Sequence, residues 1–265
     1  MSWLQTIVLS IVQGLTEFLP ISSSGHLVLV PVFFGWTDQG LTFDVAVHFG
    51  SLAAVAVYFR NDLKGLMIGG ARLLGGNSNS PESRMALFII VGTVPAAIAG
   101  LTLAGLIEAN LRSPLVIVFT LSGYALLMAL ADRFGRHERV IANVGLRDAI
   151  IIGVAQALAL VPGTSRSGIT ITAAMMLGFQ RRDAARFSFL LSAPVILLAT
   201  AYETFRLFVD GSDFAWGQLA IGVTISAVVA YLSIDFFMRF VNAIGLLPFA
   251  IYRLGLAGVV LYAVV

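Results

Sequence analysis

The segment "PGTSRSGIT", residues 162–170, interrupts a long apolar run, with "AIIIGVAQALALV" (149–161) before it and "ITAAMMLGF" (171–179) after it. Both flanks are apolar enough to lie in lipid, so a proline, two glycines, four hydroxyls and an arginine between them need a physical reason. A guanidinium cannot escape the cost of burial by losing its proton, so it needs a negative partner. Backbone that leaves the helical path at membrane depth survives only inside protein or beside a water-filled cavity. The break therefore marks a cavity.

The surrounding composition sets the class. Of 265 residues, 58% are hydrophobic and only 11% are charged, which describes an all-α polytopic membrane protein rather than a soluble globule. Full spans are predicted near 42–59, 85–108, 113–131, 187–208, 216–240 and 247–265, each close to the roughly 20 apolar residues needed to cross the hydrocarbon core. No charged leader followed by a small-residue cleavage site is visible, so no removable signal peptide is expected. The chain has no cysteine, which excludes disulfides, thiolate metal sites and a cysteine nucleophile. Its small excess of Lys and Arg is ordinary for a membrane protein and gives no reason to expect a nucleic-acid partner.

Two further apolar regions are broken rather than continuous: residues 3–35 at "LPISSSGH" (19–26) and residues 147–178 at "VPGTSRSG". Each flanking piece is too short to cross alone, so two re-entrant helical hairpins are predicted. The breaks resemble each other. Gln13 precedes Ser22 by the interval at which Gln156 precedes Ser165, and "SSSG" is answered by "SRSG". Three spans follow each break. A hairpin plus three crossings is an odd number, so the second half must lie upside down relative to the first. The chain thus reads as one integral membrane domain, 1–265, built of inverted halves of about 1–135 and 136–265, with a site near the midplane where the breaks meet. Basic residues support this topology. Arg60, Lys64, Arg72, Arg84, Arg133, Arg136, Arg139, Arg147, Arg181, Arg182, Arg186 and Arg239 share one side, leaving Arg112 and Arg206 on the other. The positive-inside rule makes the rich side cytoplasmic and puts both termini outside.

Ionisable side chains at membrane depth are costly and mark function. Glu17, His26, His48, Arg166 and Arg253 fall there; Glu203 and Asp235 lie near span ends or beside arginines and read as paired or snorkelling. Arg166 presents a planar fork that matches phosphate or carboxylate. The Gly163–Thr164 turn before it exposes backbone N–H groups at a helix start, and Ser165, Ser167 and Thr170 add donors, which together suit a phosphate. Gln13 and Glu17, one helical turn apart, offer oxygens to a hard divalent cation such as Mg2+ or Ca2+. Ser23 and His26, three apart, pair a hydroxyl with an imidazole on one helix face, and the neighbouring Ser22 and Ser24 are expected to contact substrate.

"QGLTEFLPISSSGH" (13–26) with "PGTSRSGIT" resembles the bacterial undecaprenyl-diphosphatase family of the bacitracin-resistance type, and "FSFLLSAP" (187–194) and "LPFAIYR" (247–253) extend the resemblance over nearly the whole chain. The resemblance implies six spans and two re-entrant hairpins in an inverted repeat in the bacterial inner membrane. It also implies a divalent-metal enzyme that removes the terminal phosphate of undecaprenyl diphosphate on the outer face. That activity recycles the carrier lipid of cell-wall synthesis and confers bacitracin resistance. Position by position, Glu17 and Gln13 match the family's acidic helix motif. Ser23 and His26 match its proposed nucleophile and acid/base, and Ser165, Arg166 and Thr170 match its phosphate-binding segment. Gln13 is a carboxylate in some members, so this chain carries one negative ligand fewer than they do.

The expected chemistry is metal-assisted hydrolysis of a polyprenyl diphosphate, with Arg166 and the 165–170 segment holding the terminal phosphate. Ser23 is expected to attack phosphorus, His26 to handle the proton and Glu17 to position the metal or activate water, with His26 itself or a water activated by Glu17 as alternative attacking groups. A rival reading takes the inverted repeat as a transporter or flippase of an anionic lipid or small anion, with Arg166 as its binding residue. A transporter needs no nucleophile, which favours the enzyme. A homodimer is compatible with the sequence.

Overall fold

The computed structural model describes residues 1–111, 113–209 and 215–264, and Arg112 lies outside them. Eleven α-helices and a short 3-10 turn account for nearly all of the described residues. A first hairpin, α1 (Trp3–Thr16) and α2 (Ser23–Phe34), is followed by α3 (Leu41–Tyr58), α4 (Arg60–Leu74), α5 (Pro81–Asn110) and α6 (Pro114–Phe134). A second hairpin, α7 (Leu146–Leu158) and α8 (Arg166–Met176), precedes α9 (Arg181–Val209), α10 (Trp216–Ile244) and α11 (Leu247–Val264). The chain is an all-α polytopic membrane protein.

Helices α3, α5, α6, α9 and α10 are long and apolar enough to cross a membrane. The sixth expected span is α11, whose 18 residues make about 27 Å at 1.5 Å per residue, just under the ~30 Å hydrocarbon core. Both breaks fall where the sequence placed them. One helix was not expected: α4 fills the first basic loop. Leu63 and Leu66 pack against the core while Met67, Ile68 and Leu74 stay exposed. With Arg60, Lys64 and Arg72 on the same helix, that pattern suits the membrane surface.

Two bonds fix the hairpins as opposed. Gln218 Nε2 donates to the Met1 carbonyl at 2.8 Å, so the first hairpin opens beside the start of α10. At the far end of α10, Leu246 N donates to Asp132 Oδ2 at 3.0 Å, and Asp132 also accepts from Arg181 Nε at 2.5 Å, beside the opening of the second hairpin. Helix α10 has 29 residues, so the two openings stand about 43 Å apart. The tips meet between them, where Ser167 Oγ donates to the Leu19 carbonyl at 3.1 Å.

Lipid removes most of the hydrophobic drive between helices, so close backbone approach has to hold them. The hairpin helices supply it with glycine. A Cβ on Gly14 of α1 would stand 2.7 Å from the Ser226 carbonyl oxygen of α10, and one on Gly153 of α7 would stand 2.5 Å from that of Gly92 on α5. Beneath the tips an aromatic cluster closes the core, with Phe18 edge-on to Phe189 at 5.3 Å and Phe189 5.8 Å from Phe237.

Ion pairs crowd the basic end: Arg186 with Asp62, Arg181 with Asp132, and a two-pronged Arg139–Asp148 pair at 2.5 and 3.0 Å. Asp235 and Glu203 pair with Arg239 and Arg206 at 2.9 and 3.4 Å, as their neighbourhoods suggested.

The topology predicts opposite exposure of two loops. Single cysteines replacing Thr37 and Ser78, both exposed, should react with a membrane-impermeant thiol reagent from different sides. In intact cells only one of them should label. Labelling of both from one side would break the inverted arrangement.

Candidate active site

The two breaks converge on one carboxylate. Glu17 caps the end of α1 and is only 7% exposed. Its Oε2 accepts from Ser23 Oγ at 2.6 Å and from Gln13 Nε2 at 3.0 Å, while Oε1 accepts from Arg166 Nη2 at 2.9 Å. His48 Nε2 stands 3.6 Å from Oε2. Ser23 and Arg166 come from opposite hairpins and are the first residues of α2 and α8.

Matching backbone turns aim them. Ser22 and Ser165, which precede Ser23 and Arg166, both adopt positive φ, at 76° and 70°. Such a conformation in a residue with a Cβ costs on the order of 1–3 kcal/mol and persists only where the surroundings impose it. Ser165 offsets part of this, because its Oγ accepts from Gly168 N at 3.2 Å. Ser22 has no such cap; its carbonyl accepts instead from His26 Nδ1 at 2.7 Å. The faint likeness of "SSSG" to "SRSG" thus reflects a shared strained turn.

Arg166 has spent half its fork. Nη2 binds Glu17, but Nη1 is buried with no hydrogen-bond partner. The guanidinium lies 5.7 Å over the Phe18 ring and lines a cleft of about 350 Å3 together with Asp44, His48, Gln156, Thr200 and Glu203. The remaining lining is apolar, including Val45, Ala96 and Ile196. An unpaired buried N–H beside an apolar-walled cleft is poised for an anion attached to a greasy chain.

The hydroxyls of the second break face inward. Thr170 Oγ1 lies 2.6 Å from Ser188 Oγ and donates to the Arg166 carbonyl at 2.8 Å. Ser167 is fully buried and bonded to the first tip, with Ser165 Oγ 3.3 Å from it. Thr170 locks α8 against α9 and Ser167 locks it against the first hairpin, while Ser165 caps the start of α8. At the first break, Ser24 is exposed, with its hydroxyl 3.4 Å from that of Ser22.

His26 shares α2 with Ser23. No hydrogen bond joins them among the described residues. A carbonyl can only accept, so His26 Nδ1 carries a proton toward Ser22, and in the neutral ring Nε2 then accepts from the Tyr252 hydroxyl at 2.6 Å. Both ring nitrogens are engaged. Gln13 Oε1 has the opposite property: it is buried without a partner, on the amide whose Nε2 donates to Glu17. Glu17 and Gln13 therefore form a donor set that a hard cation could use.

Three residues escaped the expected site. His48 was noted for its depth but not placed beside Glu17. Tyr252 and Arg253 arrive from α11, far along the chain; Arg253 stood out by its depth, and the resemblance through "LPFAIYR" was the one signal for Tyr252.

Comparison with known proteins places the chain in a family. The family described as bacitracin resistance protein BacA matches residues 6–259. The chain belongs to the BacA family. It is 52% identical over 254 residues to a protein of Hahella chejuensis named undecaprenyl-diphosphatase, covering 96% of this chain and 95% of that one. Proteins of the same name from Teredinibacter turnerae and Alcanivorax borkumensis are 49% and 51% identical, covering 100% and 99% of both chains.

In this BacA-family chain, Glu17→Gln should leave Arg166 buried without its counter-charge. Breaking such a pair typically costs about 3 kcal/mol. Arg166→Gln should cost a comparable amount, and the double variant should recover a large part of the summed loss. Thermal unfolding of the four proteins in detergent measures the coupling. Simple additivity would mean that the two groups do not interact.

Proposed function

We propose that this chain is an undecaprenyl-diphosphatase, converting undecaprenyl diphosphate and water to undecaprenyl phosphate and inorganic phosphate. Its full-length relatives carry that name at about half identity. The observation that carries the chemistry is the unpartnered Nη1 of Arg166, a residue that lines the cleft, while Nη2 reaches the carboxylate that holds Ser23.

In this reading the terminal phosphate enters the cleft and takes the free prong of Arg166, with its lipid chain remaining among apolar walls. Ser23 Oγ attacks phosphorus as the bond to the bridging oxygen breaks, and undecaprenyl phosphate leaves. The hydroxyl proton passes to Glu17 Oε2, to which it is already bonded at 2.6 Å. Water then displaces the seryl oxygen, which recovers its proton from Glu17. Arg166 meets the charge that spreads over the phosphoryl oxygens in the transition state. His26, held at both nitrogens, anchors the start of α2 and so fixes Ser23.

A divalent cation, Mg2+ or Ca2+, completes the proposal. Glu17 and the unpartnered Gln13 Oε1 would hold it, and it would supply further neutralisation of the diphosphate. The membrane is the bacterial inner membrane. The arginine-rich end faces the cytoplasm by the positive-inside rule. The cleft runs toward the other end, past Leu41 at the start of α3 and Glu203 late in α9, and so opens outward.

Purified protein in detergent should release phosphate from a polyprenyl diphosphate with no second compartment present, which a transporter cannot do. Arg166→Lys should lower kcat/KM on the order of a hundredfold, because a point charge cannot serve both Glu17 and phosphate. Near-normal turnover in that variant would remove Arg166 from the chemistry.

Metal dependence makes a separate prediction. A chelator should abolish turnover, and Mg2+ or Ca2+ should restore it. Excess metal should rescue Gln13→Ala further than Glu17→Gln, since only the second loses the carboxylate. Equal, metal-insensitive losses at both positions would exclude them as ligands.

A further inference from the structure

Arg253 is the largest side chain in the fully buried interior, at 1% exposure, and no carboxylate pairs with it among the described residues. All of its partners are backbone carbonyls. Nη1 donates to Thr164 at 2.9 Å and Pro20 at 3.5 Å; Nη2 donates to Gly163 at 2.9 Å and Thr120 at 3.3 Å; Nε donates to Leu121 at 3.3 Å. Pro20 belongs to the first break, Gly163 and Thr164 to the second, and Thr120 and Leu121 to α6. One guanidinium from α11 therefore ties both breaks to a full span.

A cation buried at membrane depth without a counter-charge is an expensive way to fill space, and a methionine would fill it more cheaply. What the guanidinium adds is direction. In a trans peptide the C=O and the following N–H point opposite ways. Holding the Thr164 carbonyl toward α11 turns the Ser165 N–H away from it. The two shortest bonds fall on the residues just before Ser165, and Gly163 and Ser165 both have positive φ, at 85° and 70°. The Pro20 contact reaches the first break two residues before its own left-handed serine, Ser22.

We propose that Arg253 is a positioning residue: its guanidinium holds the two re-entrant tips in the register that lets Ser23 and Arg166 meet on Glu17. It touches neither substrate nor Glu17 and acts through the backbone. Its consequence for turnover rests on the phosphatase reading; its consequence for geometry does not.

The test measures geometry first. Spin labels at Val28 on α2 and Met176 on α8, both exposed, report the distance between the hairpins. The parent protein should give one narrow distance distribution. Arg253→Lys keeps a cation that can reach one or two carbonyls but cannot span both breaks, so the distribution should broaden or shift. On the same preparation, kcat should fall on the order of a hundredfold, as for a misplacement of about an ångström, with KM much less affected. If the lysine protein does not fold, Arg253→Ala prepared with millimolar methylguanidinium should recover both folded protein and the narrow distribution. A distribution in Arg253→Lys superimposable on the parent's would overturn the proposal, whatever the rate. So would an alanine variant indifferent to methylguanidinium. Absence of phosphate release by the parent would sink the phosphatase reading alone.

Discussion

One carboxylate, Glu17, holds the centre of this molecule together. Its two oxygens receive the first residue of α2 and the first residue of α8, from hairpins that enter from opposite ends. A charge at that depth would be prohibitive without partners. Ser23, Gln13 and Arg166 supply them as hydrogen-bond donors, with His48 close by. The breaks in both hairpins exist so that these donors can reach it. Unbroken helices would carry the same side chains past one another on parallel tracks.

The breaks bring a difficulty, since each leaves backbone groups unpaired where water is scarce. The structure answers with polar groups on neighbouring helices. Ser167 bonds the Leu19 carbonyl, Thr120 Oγ1 bonds the Pro162 carbonyl at 2.7 Å, and Arg253 collects Pro20, Gly163 and Thr164. Among the hydroxyls of "PGTSRSGIT", that of Ser167 is absorbed in this way. The strained serines at 22 and 165 are the residue of that arrangement, held in place by these contacts around them. What remains unpaired is informative by contrast. Arg166 Nη1 and Gln13 Oε1 are a donor and an acceptor beside the same carboxylate. An anion and a cation that travel together would satisfy both.

Most of the membrane architecture was legible in the sequence because lipid enforces a simple rule: a helix either spans or breaks, and hydropathy shows which. Helix α4 was missed because an amphipathic surface helix lowers local hydropathy just as a loop does, and the arginines of 60–74 read as loop. At the site, Gln13, Glu17, Ser23 and Arg166 were legible because polar residues in an apolar run stand out. Pairing Ser23 with His26 followed from helical spacing and from the family resemblance. In the folded chain the spacing holds, yet Tyr252 and the Ser22 carbonyl take the imidazole, and Glu17 takes the hydroxyl.

The sequence by itself determined that the chain crosses a membrane, where its two hairpins break, and which charged residues must lie deep. Those are consequences of local chemistry, readable one segment at a time. Tertiary structure alone decided which deep groups are partners. His48 and Ser23 share one carboxylate from separate helices, Tyr252 holds His26 from 226 positions away, and Arg253 grips both tips from α11. Pairing of this kind depends on how the spans and the two hairpins pack in three dimensions. Side-chain identity states what a residue needs, and only the packing states which neighbour supplies it.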